Sequence, residues 1–201
     1  MNNYKIIKNA ISEELAKFLT QYFLLKKDSV TMMLNDNYIP KLDTDLGNYY
    51  DEQVPNTYSV YADHAAETLL IRLHPLMEKA LDKKLVLNYS YMRVYKRGDI
   101  LHKHTDRFSC QFSTTLFIGG DQWPIFLKPK DNEEPIEVNL EQGDMLIYEG
   151  CNMEHWRNSF LGNECIQVFL HYTDEKNIEA KKNIYDGRPY LGLPGWYKSK
   201  K

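Results

Sequence analysis

Hydrophobic positions recur at helical spacing near the start of the chain. Over residues 12–26, SEELAKFLTQYFLLK, the side chains of Leu15, Phe18, Leu19, Tyr22 and Phe23 fall on one side of a helix. Ser12 stands where an N-cap is wanted, and two glutamates occupy the first turn, where the helix dipole favours negative charge. Residues 28–60 break this pattern with Asn, Asp, Gly and Pro clusters at NDN, DLGN and VPN, which predict a long irregular connection. A connection of that length is either a functional cover or a surface insertion, and the pattern leaves both open. Residues 61–82, YADHAAETLLIRLHPLMEKALD, return to helical spacing with Pro75 inside. Proline cannot donate to the helix ladder, so the expectation is two helices, or one kinked before Pro75. His64 and His74, both on this segment, read as surface or packing residues rather than ligands.

From residue 85 the texture changes. Short runs rich in Val, Ile, Leu, Phe and Tyr (LVLNYSYMRVY, ILHKH, CQFSTTLFI, PIFLK, IEVNL, MLIYEG, CIQVFLHYT) are separated by KRGD, GGDQW, PKDNEEP and EQGD. That rhythm predicts an antiparallel sandwich or double-sheet jelly roll. The fold class is therefore mostly β with N-terminal helices, an α+β arrangement with a double-stranded β-helix core. Within a single domain, 1–201, the expected parts are a helical support over 1–84 containing the irregular 28–60 segment, a jelly-roll core over 85–174, and a C-terminal tail over 175–201. The aromatics of the tail are expected to pack on the body, with the terminal lysines in water. No internal repeat or low-complexity tract is present.

Composition narrows the classes. The chain has 201 residues, 43% hydrophobic and 26% charged, which suits a folded domain with a sizeable core. The formal net charge of −3 provides no basic field for nucleic acid. No apolar run is long enough to span a bilayer, so no membrane partner is expected. The beginning, MNNYKIIKNAISEEL, lacks the features of a secretory signal. Cys110, Cys151 and Cys165 form neither a disulfide framework nor a zinc knuckle, and a reducing, cytoplasmic compartment is the simplest reading.

The candidate chemistry centres on His104-Thr105-Asp106. In a strand, residues two apart point to one face, so an imidazole and a carboxylate there can share a metal. A two-histidine, one-carboxylate set on one face of an octahedron, with the opposite face open, is the arrangement of non-haem iron(II) oxygenases. His155 is the candidate third ligand, returned beside the pair by the strands that end in EQGDMLIYEG. A His-x-Asp pair alone is weak and needs this context. His102 competes with His104, but only His104 has an aspartate two positions on.

The pattern YMRVYKRGDILHKHTD, then GDMLIYEGCNMEHWR, then CIQVFLHYTD resembles the prolyl-4-hydroxylase-like branch of the 2-oxoglutarate/iron(II) dioxygenases, over about residues 61–174. The resemblance implies a jelly roll with iron(II) held by His104, Asp106 and His155, which also form the catalytic centre. It implies 2-oxoglutarate as cosubstrate, dioxygen, and ascorbate as an accessory. The implied reaction is oxidative decarboxylation of 2-oxoglutarate to succinate and carbon dioxide, coupled to hydroxylation of an unactivated C–H bond. A prolyl residue in a peptide or protein is the substrate it suggests, with a free amino acid or another small molecule as the alternative. Tyr95 matches the tyrosine that contacts 2-oxoglutarate in relatives.

The distal carboxylate of 2-oxoglutarate needs a cation, and here the chain departs from the family. The usual positions after the distal histidine hold Glu164, Cys165, Ile166 and Gln167. Arg157 is the replacement, because it shares the face of His155 in a regular strand and offers a bidentate fork. Lys128 on PIFLK is the second choice and Arg93 the third. Tyr89, Tyr91, Arg93 and Tyr95 alternate on one strand face. Gln167 and His171 form a polar stripe on the last strand, either facing the pocket or satisfied in the core. Trp123 and Trp156 either line a substrate groove or pack in the core. Asp144 reads as structural. A cupin-like metal-binding jelly roll without turnover, a metal-dependent isomerase and a dioxygenase without 2-oxoglutarate are the rival readings.

Overall fold

The computed structural model describes residues 4–129 and 134–199. Residues 130–133, part of the turn expected at PKDNEEP, and the last two lysines, Lys200 and Lys201, lie outside the described residues. Among the described residues, ten strands and three α-helices follow in chain order: β1 (Tyr4–Ile7), α1 (Glu13–Asn35), β2 (Tyr58–Tyr61), α2 (His64–Leu81), β3 (Leu85–Lys96), β4 (Leu101–His104), β5 (Phe112–Gly120), β6 (Ile125–Lys128), β7 (Ile136–Val138), β8 (Met145–Tyr148), β9 (Glu154–Arg157), β10 (Glu164–Asp174) and α3 (Ile178–Lys182). The strands form two antiparallel sheets, ordered β1-β8-β5-β10-β3-β2 and β4-β9-β6-β7.

Helix α1 starts where expected: the Ser12 hydroxyl accepts from the Leu15 N–H at 3.3 Å. It runs on past Lys26 because its apolar stripe continues, with Ala16, Leu19, Phe23 and Val30 buried. Helix α2 is a single helix with Pro75 inside, not two. Pro75 and Ile71 both lie on the exposed side, so water can satisfy the Ile71 carbonyl that the proline leaves without a donor. His74 stacks on Tyr172 at 6.0 Å and contacts the Leu85 carbonyl at 2.9 Å, which makes it a packing residue.

Two apolar clusters organise the layers. One lies between the helices and the larger sheet and includes Phe23, Leu70, Met77, Met92, Leu116 and Val168. The other lies between the sheets and includes Tyr95, Leu101, Phe117, Leu127, Leu146 and Tyr148. Strand β3 serves both, with Met92 and Val94 toward the helices and Tyr95 toward the second sheet.

Two strands were not legible in the sequence. β1 adds an edge to the larger sheet beside β8, with Tyr4 opposite Tyr148, and β2 adds the other edge beside β3, with Tyr58 opposite Val94. The Gly143–Asp144 turn is pinned to the N-terminal segment. Asp144 is buried, pairs with Lys8 at 2.6 Å and accepts the Asn9 N–H at 3.0 Å. Gly143 has φ +89°, and a Cβ there would sit 2.7 Å from the Ile11 carbonyl oxygen, so only glycine fits.

The C-terminal tail is bound by a buried ion pair. Arg188 meets Glu67 of α2 at 2.7 Å, with side-chain exposures of 0% and 3%. Arg188 also donates to the carbonyls of Tyr185, Asn88 and Leu193, and its guanidinium lies 4.9 Å from the Tyr61 ring. All three cysteines are free, and among the described residues no helix is long and apolar enough to cross a membrane.

Candidate metal centre

The second sheet places His104 at the end of β4 directly opposite His155 on β9. A register irregularity between Leu101 and His104 turns β4 out of the sheet there, and Asp106 lies just beyond the strand. The Asp106 N–H donates to the Gly150 carbonyl at 2.8 Å, which brings the carboxylate back toward the two imidazoles. The Nε2 atoms of His104 and His155 each lie 3.6 Å from Asp106 Oδ1, and the three ligand atoms fall within 4.8 Å of one another.

The partners of the histidines determine which nitrogen is free. His104 donates Nδ1–H to the His102 carbonyl at 2.8 Å, and His155 donates Nδ1–H to the Met153 carbonyl at 3.0 Å. Each imidazole thus turns the Nε2 lone pair toward Asp106, the tautomer a metal needs. The His102 side chain is exposed, and only its carbonyl serves the site.

Asp106 is set up as an anion. Burial would raise its pKa, but a hydrogen bond from His104 and the charges of His155 and His171, which these imidazoles supply once protonated at low pH, together with the Ser113 hydroxyl, outweigh burial and hold it at about 2. Ser113 Oγ–H donates to Asp106 Oδ2 at 2.7 Å, and His171 Nδ1–H donates in turn to Ser113 Oγ at 3.1 Å. Burial, which outweighs the charge of Asp106, lowers the pKa of His155, so this imidazole is neutral at pH 7. Gly150 permits the close approach: a Cβ there would lie 2.2 Å from Asp106 Oδ2.

Asp106, Cys110 and His171 form a second group with metal-ligand spacing. It suits a metal less well. Burial pushes the Cys110 thiol far up, so it is not a thiolate, and the Nδ1 of His171 is engaged by Ser113.

His171 carries a testable consequence for folding. Burial lowers its pKa to about 4. Above the ordinary histidine value near 6.5 it is neutral in both states. Between there and about 4 the unfolded chain takes up a proton that the folded chain refuses, so stability falls as pH falls, by up to about 3 kcal/mol. Urea titrations at pH 7 and 4.5 are expected to show this loss in the metal-free protein and a smaller one in His171→Gln. Equal losses would remove His171 from the account.

The metal group opens on a cavity of about 320 Å³ between the sheets, walled by Tyr89, Tyr91, Arg93 and Tyr95 of β3, by Tyr148, Ile125 and Phe169, and by Asp51 and Gln53 of the segment before β2. The cavity face of β3 is therefore the Tyr/Arg face of the sequence. Arg157 is buried on the His155 side of β9, beyond the cavity wall. One terminal nitrogen donates to the Trp123 carbonyl, the other to Thr115 Oγ1 at 3.2 Å, and Nε has no partner among the described residues. Thr115 donates to Gln167 Oε1 at 3.0 Å, which joins Gln167 to the same interior cluster.

Neither Arg157 nor Gln167 lines the cavity, and three further sequence candidates do not come to it either. Lys128 alternates with the inward Ile125 and Leu127, so it points out beside Glu154, its partner in register. Trp156 alternates with His155 and stacks on Phe126 on the outer surface of the sheet, with Lys103 4.3 Å from its ring. Trp123 is a core residue: its indole N–H donates to the Asn158 carbonyl at 2.9 Å, and its ring lies 5.2 Å from the Arg157 guanidinium. Residues the sequence did not point to are Asp51, Gln53, Ser113, Tyr148 and Gly150, together with Asp186, which binds both terminal nitrogens of Arg107 at 2.8 Å next to Asp106.

No family model and no curated protein matches the sequence. Solved structures do match in fold. A prolyl-4-hydroxylase from Pseudomonas putida superposes with a TM-score of 0.65 at 12% identity, covering 87% of this chain and 94% of that one. A prolyl hydroxylase from Trichoplax adhaerens, in complex with a hypoxia inducible factor peptide fragment, gives 0.60 at 12% identity, covering 88% and 86%. HygX from Streptomyces hygroscopicus, with nickel, 2-oxoglutarate and hygromycin B bound, gives 0.59 at 11% identity, covering 92% of each chain. The chain thus has the fold of prolyl hydroxylases and other 2-oxoglutarate/iron(II) oxygenases.

Proposed function

We propose that this protein is a 2-oxoglutarate- and iron(II)-dependent oxygenase that hydroxylates an unactivated C–H bond. The observation that carries the reading is the convergence of two Nε2 lone pairs and one ionised carboxylate at the wall of an interior cavity, each imidazole oriented through its own Nδ1–H. That donor set fits a facial triad with an open side. The two-sheet arrangement supports a double-stranded β-helix core within a single domain. Bound iron(II) and 2-oxoglutarate supply the oxidising chemistry that adds oxygen from dioxygen to the substrate and releases succinate and carbon dioxide.

The protein's part is binding, orientation and exclusion of water. His104, Asp106 and His155 hold the metal, and Ser113 fixes the Asp106 carboxylate. Tyr95 presents its hydroxyl to the cavity. Arg157 is the anchor for the distal carboxylate, with Thr115 and Gln167 orienting it. The unpartnered Nε of Arg157 supports this reading, since a buried guanidinium donor without an acceptor is costly. Prolyl hydroxylases share the fold and support a prolyl residue in a peptide as substrate. A cavity partly covered by Asp51 and Gln53 favours the second reading, a small molecule.

The test is release of carbon dioxide from labelled 2-oxoglutarate with and without iron(II). Metal-dependent release is expected, and release that ignores the metal would sink the reading. Arg157→Ala is expected to raise the 2-oxoglutarate requirement about a hundredfold, roughly 3 kcal/mol for a lost charged hydrogen-bond pair, with metal affinity unchanged. Arg157→Lys should recover part, since a point charge replaces a fork only partly. An unaltered requirement in Arg157→Ala would move the anchor elsewhere.

A further inference from the structure

Arg93 is a buried cation on the cavity wall, 2% exposed. One terminal nitrogen meets Asp51 at 2.7 Å. The other donates to Gln53 Oε1 at 3.2 Å and to the Tyr95 hydroxyl at 3.4 Å. Its Nε–H is buried without a partner among the described residues. Gln53 has a second engagement: its amide Nε2 donates to His104 Nε2 at 2.8 Å. That nitrogen has one lone pair, which cannot serve Gln53 and a metal together. Metal loading therefore turns the Gln53 amide away, and Arg93 loses the acceptor that the amide supplied. Asp51 holds the terminal nitrogen on the same edge as Nε–H; when Asp51 leaves with Gln53, Nε–H and that terminal N–H form an open fork on the cavity wall, and a planar carboxylate satisfies such a fork better than any other common group.

Resting on the oxygenase reading above, we propose that Arg93 recognises a carboxylate of the primary substrate, which is a small carboxylic acid of amino-acid or hydroxy-acid size. Asp51 and Gln53 hold that place until metal and substrate enter. They are tied to each other, the Gln53 N–H donating to Asp51 Oδ1 at 2.8 Å, so they leave the wall as a unit. Tyr91 borders the same place, its hydroxyl bonded to Asp51 and to Ser59 Oγ at 2.8 Å.

The experiment uses the full chain loaded with manganese(II) and 2-oxoglutarate. The probes are the free L-amino acids, the corresponding L-2-hydroxy acids and the amides of both sets, with binding read by saturation-transfer NMR. One or more acids should bind and their amides should not. Arg93→Gln should weaken the binding acid roughly tenfold or more, the loss expected for a charged hydrogen bond, while raising the 2-oxoglutarate Kd far less than Arg157→Ala does. Asp51→Asn, which removes the competing carboxylate from a surface segment, should tighten the same acid and keeps the test open if Arg93→Gln fails to fold. The proposal is overturned if no acid binds, if amides bind as well as acids, if Asp51→Asn leaves the acid's affinity unchanged or weaker, or if Arg93→Gln matches Arg157→Ala in its effect on 2-oxoglutarate. Failure of the wild-type protein to bind manganese(II) and 2-oxoglutarate at all would instead strike the oxygenase reading.

Discussion

Alanine at His104, Asp106 or His155 is expected to abolish turnover and to weaken iron(II) binding by at least a hundredfold. The lower bound follows from the cost of losing even an outer partner of a metal ligand, about 10- to 100-fold; a direct ligand costs more. The three substitutions differ in kind. Asp106→Ala removes the carboxylate of the three and leaves two imidazoles facing a dication. His155→Ala removes the most buried ligand, with a side chain 2% exposed, and opens a void beside Tyr148, whose ring packs edge-on to His155 at 4.8 Å. His104→Ala also frees Gln53. His102→Ala is the control, because the site uses its backbone carbonyl and not its side chain. Titration with iron(II) under anaerobic conditions gives the answer, and full affinity in any one of the three variants would remove that residue from the set.

The largest expected loss of stability lies outside the site. Arg188→Ala should cost about 3–5 kcal/mol, the usual penalty for leaving one member of a buried ion pair without its partner. Glu67 would be left in the interior with the Ser90 and Gly192 N–H groups as its remaining donors among the described residues. Glu67→Ala should cost a similar amount by stranding Arg188. An exposed pair such as Lys17–Glu13, with side-chain exposures of 63% and 72%, is the contrast, and breaking it should change stability far less. Urea unfolding measures both. The tail also matters to the site, because Asp186 on it holds Arg107 beside the ligand Asp106 and accepts the Tyr61 hydroxyl at 2.8 Å. Releasing the tail should therefore lower metal affinity as well as stability. A large stability loss with unchanged metal affinity would separate the tail from the centre.

The legible and illegible parts of this protein divide along physical lines. The run of strands after residue 85 was readable because each strand alternates or is apolar throughout and is bounded by turn residues. The parity of Arg157 with His155, and of Tyr89 with Tyr95, follows from the same period of two. The same rule counted against Lys128 and Trp156: Lys128 alternates with the inward Ile125 and Leu127, and Trp156 lies between inward His155 and Arg157. β1 and β2 were not readable, because they stand apart from the run of strands, β2 at the end of an irregular segment, and their pairing with β8 and β3 is set by the tertiary fold. Pro75 argued for a break, yet α2 continues because the carbonyl it leaves free faces water. Asp51 and Gln53 reach the cavity from an irregular segment, and Arg188 finds Glu67 across 121 positions. Contacts of that range leave no local pattern.

A crystal structure of the protein with manganese(II) and 2-oxoglutarate tests the central claim most directly. The account predicts one metal ion on His104 Nε2, an Asp106 oxygen and His155 Nε2, with Gln53 turned away from His104, 2-oxoglutarate on the open side and its distal carboxylate at Arg157. Metal on Asp106, Cys110 and His171 instead, or 2-oxoglutarate bound away from the metal, would contradict it.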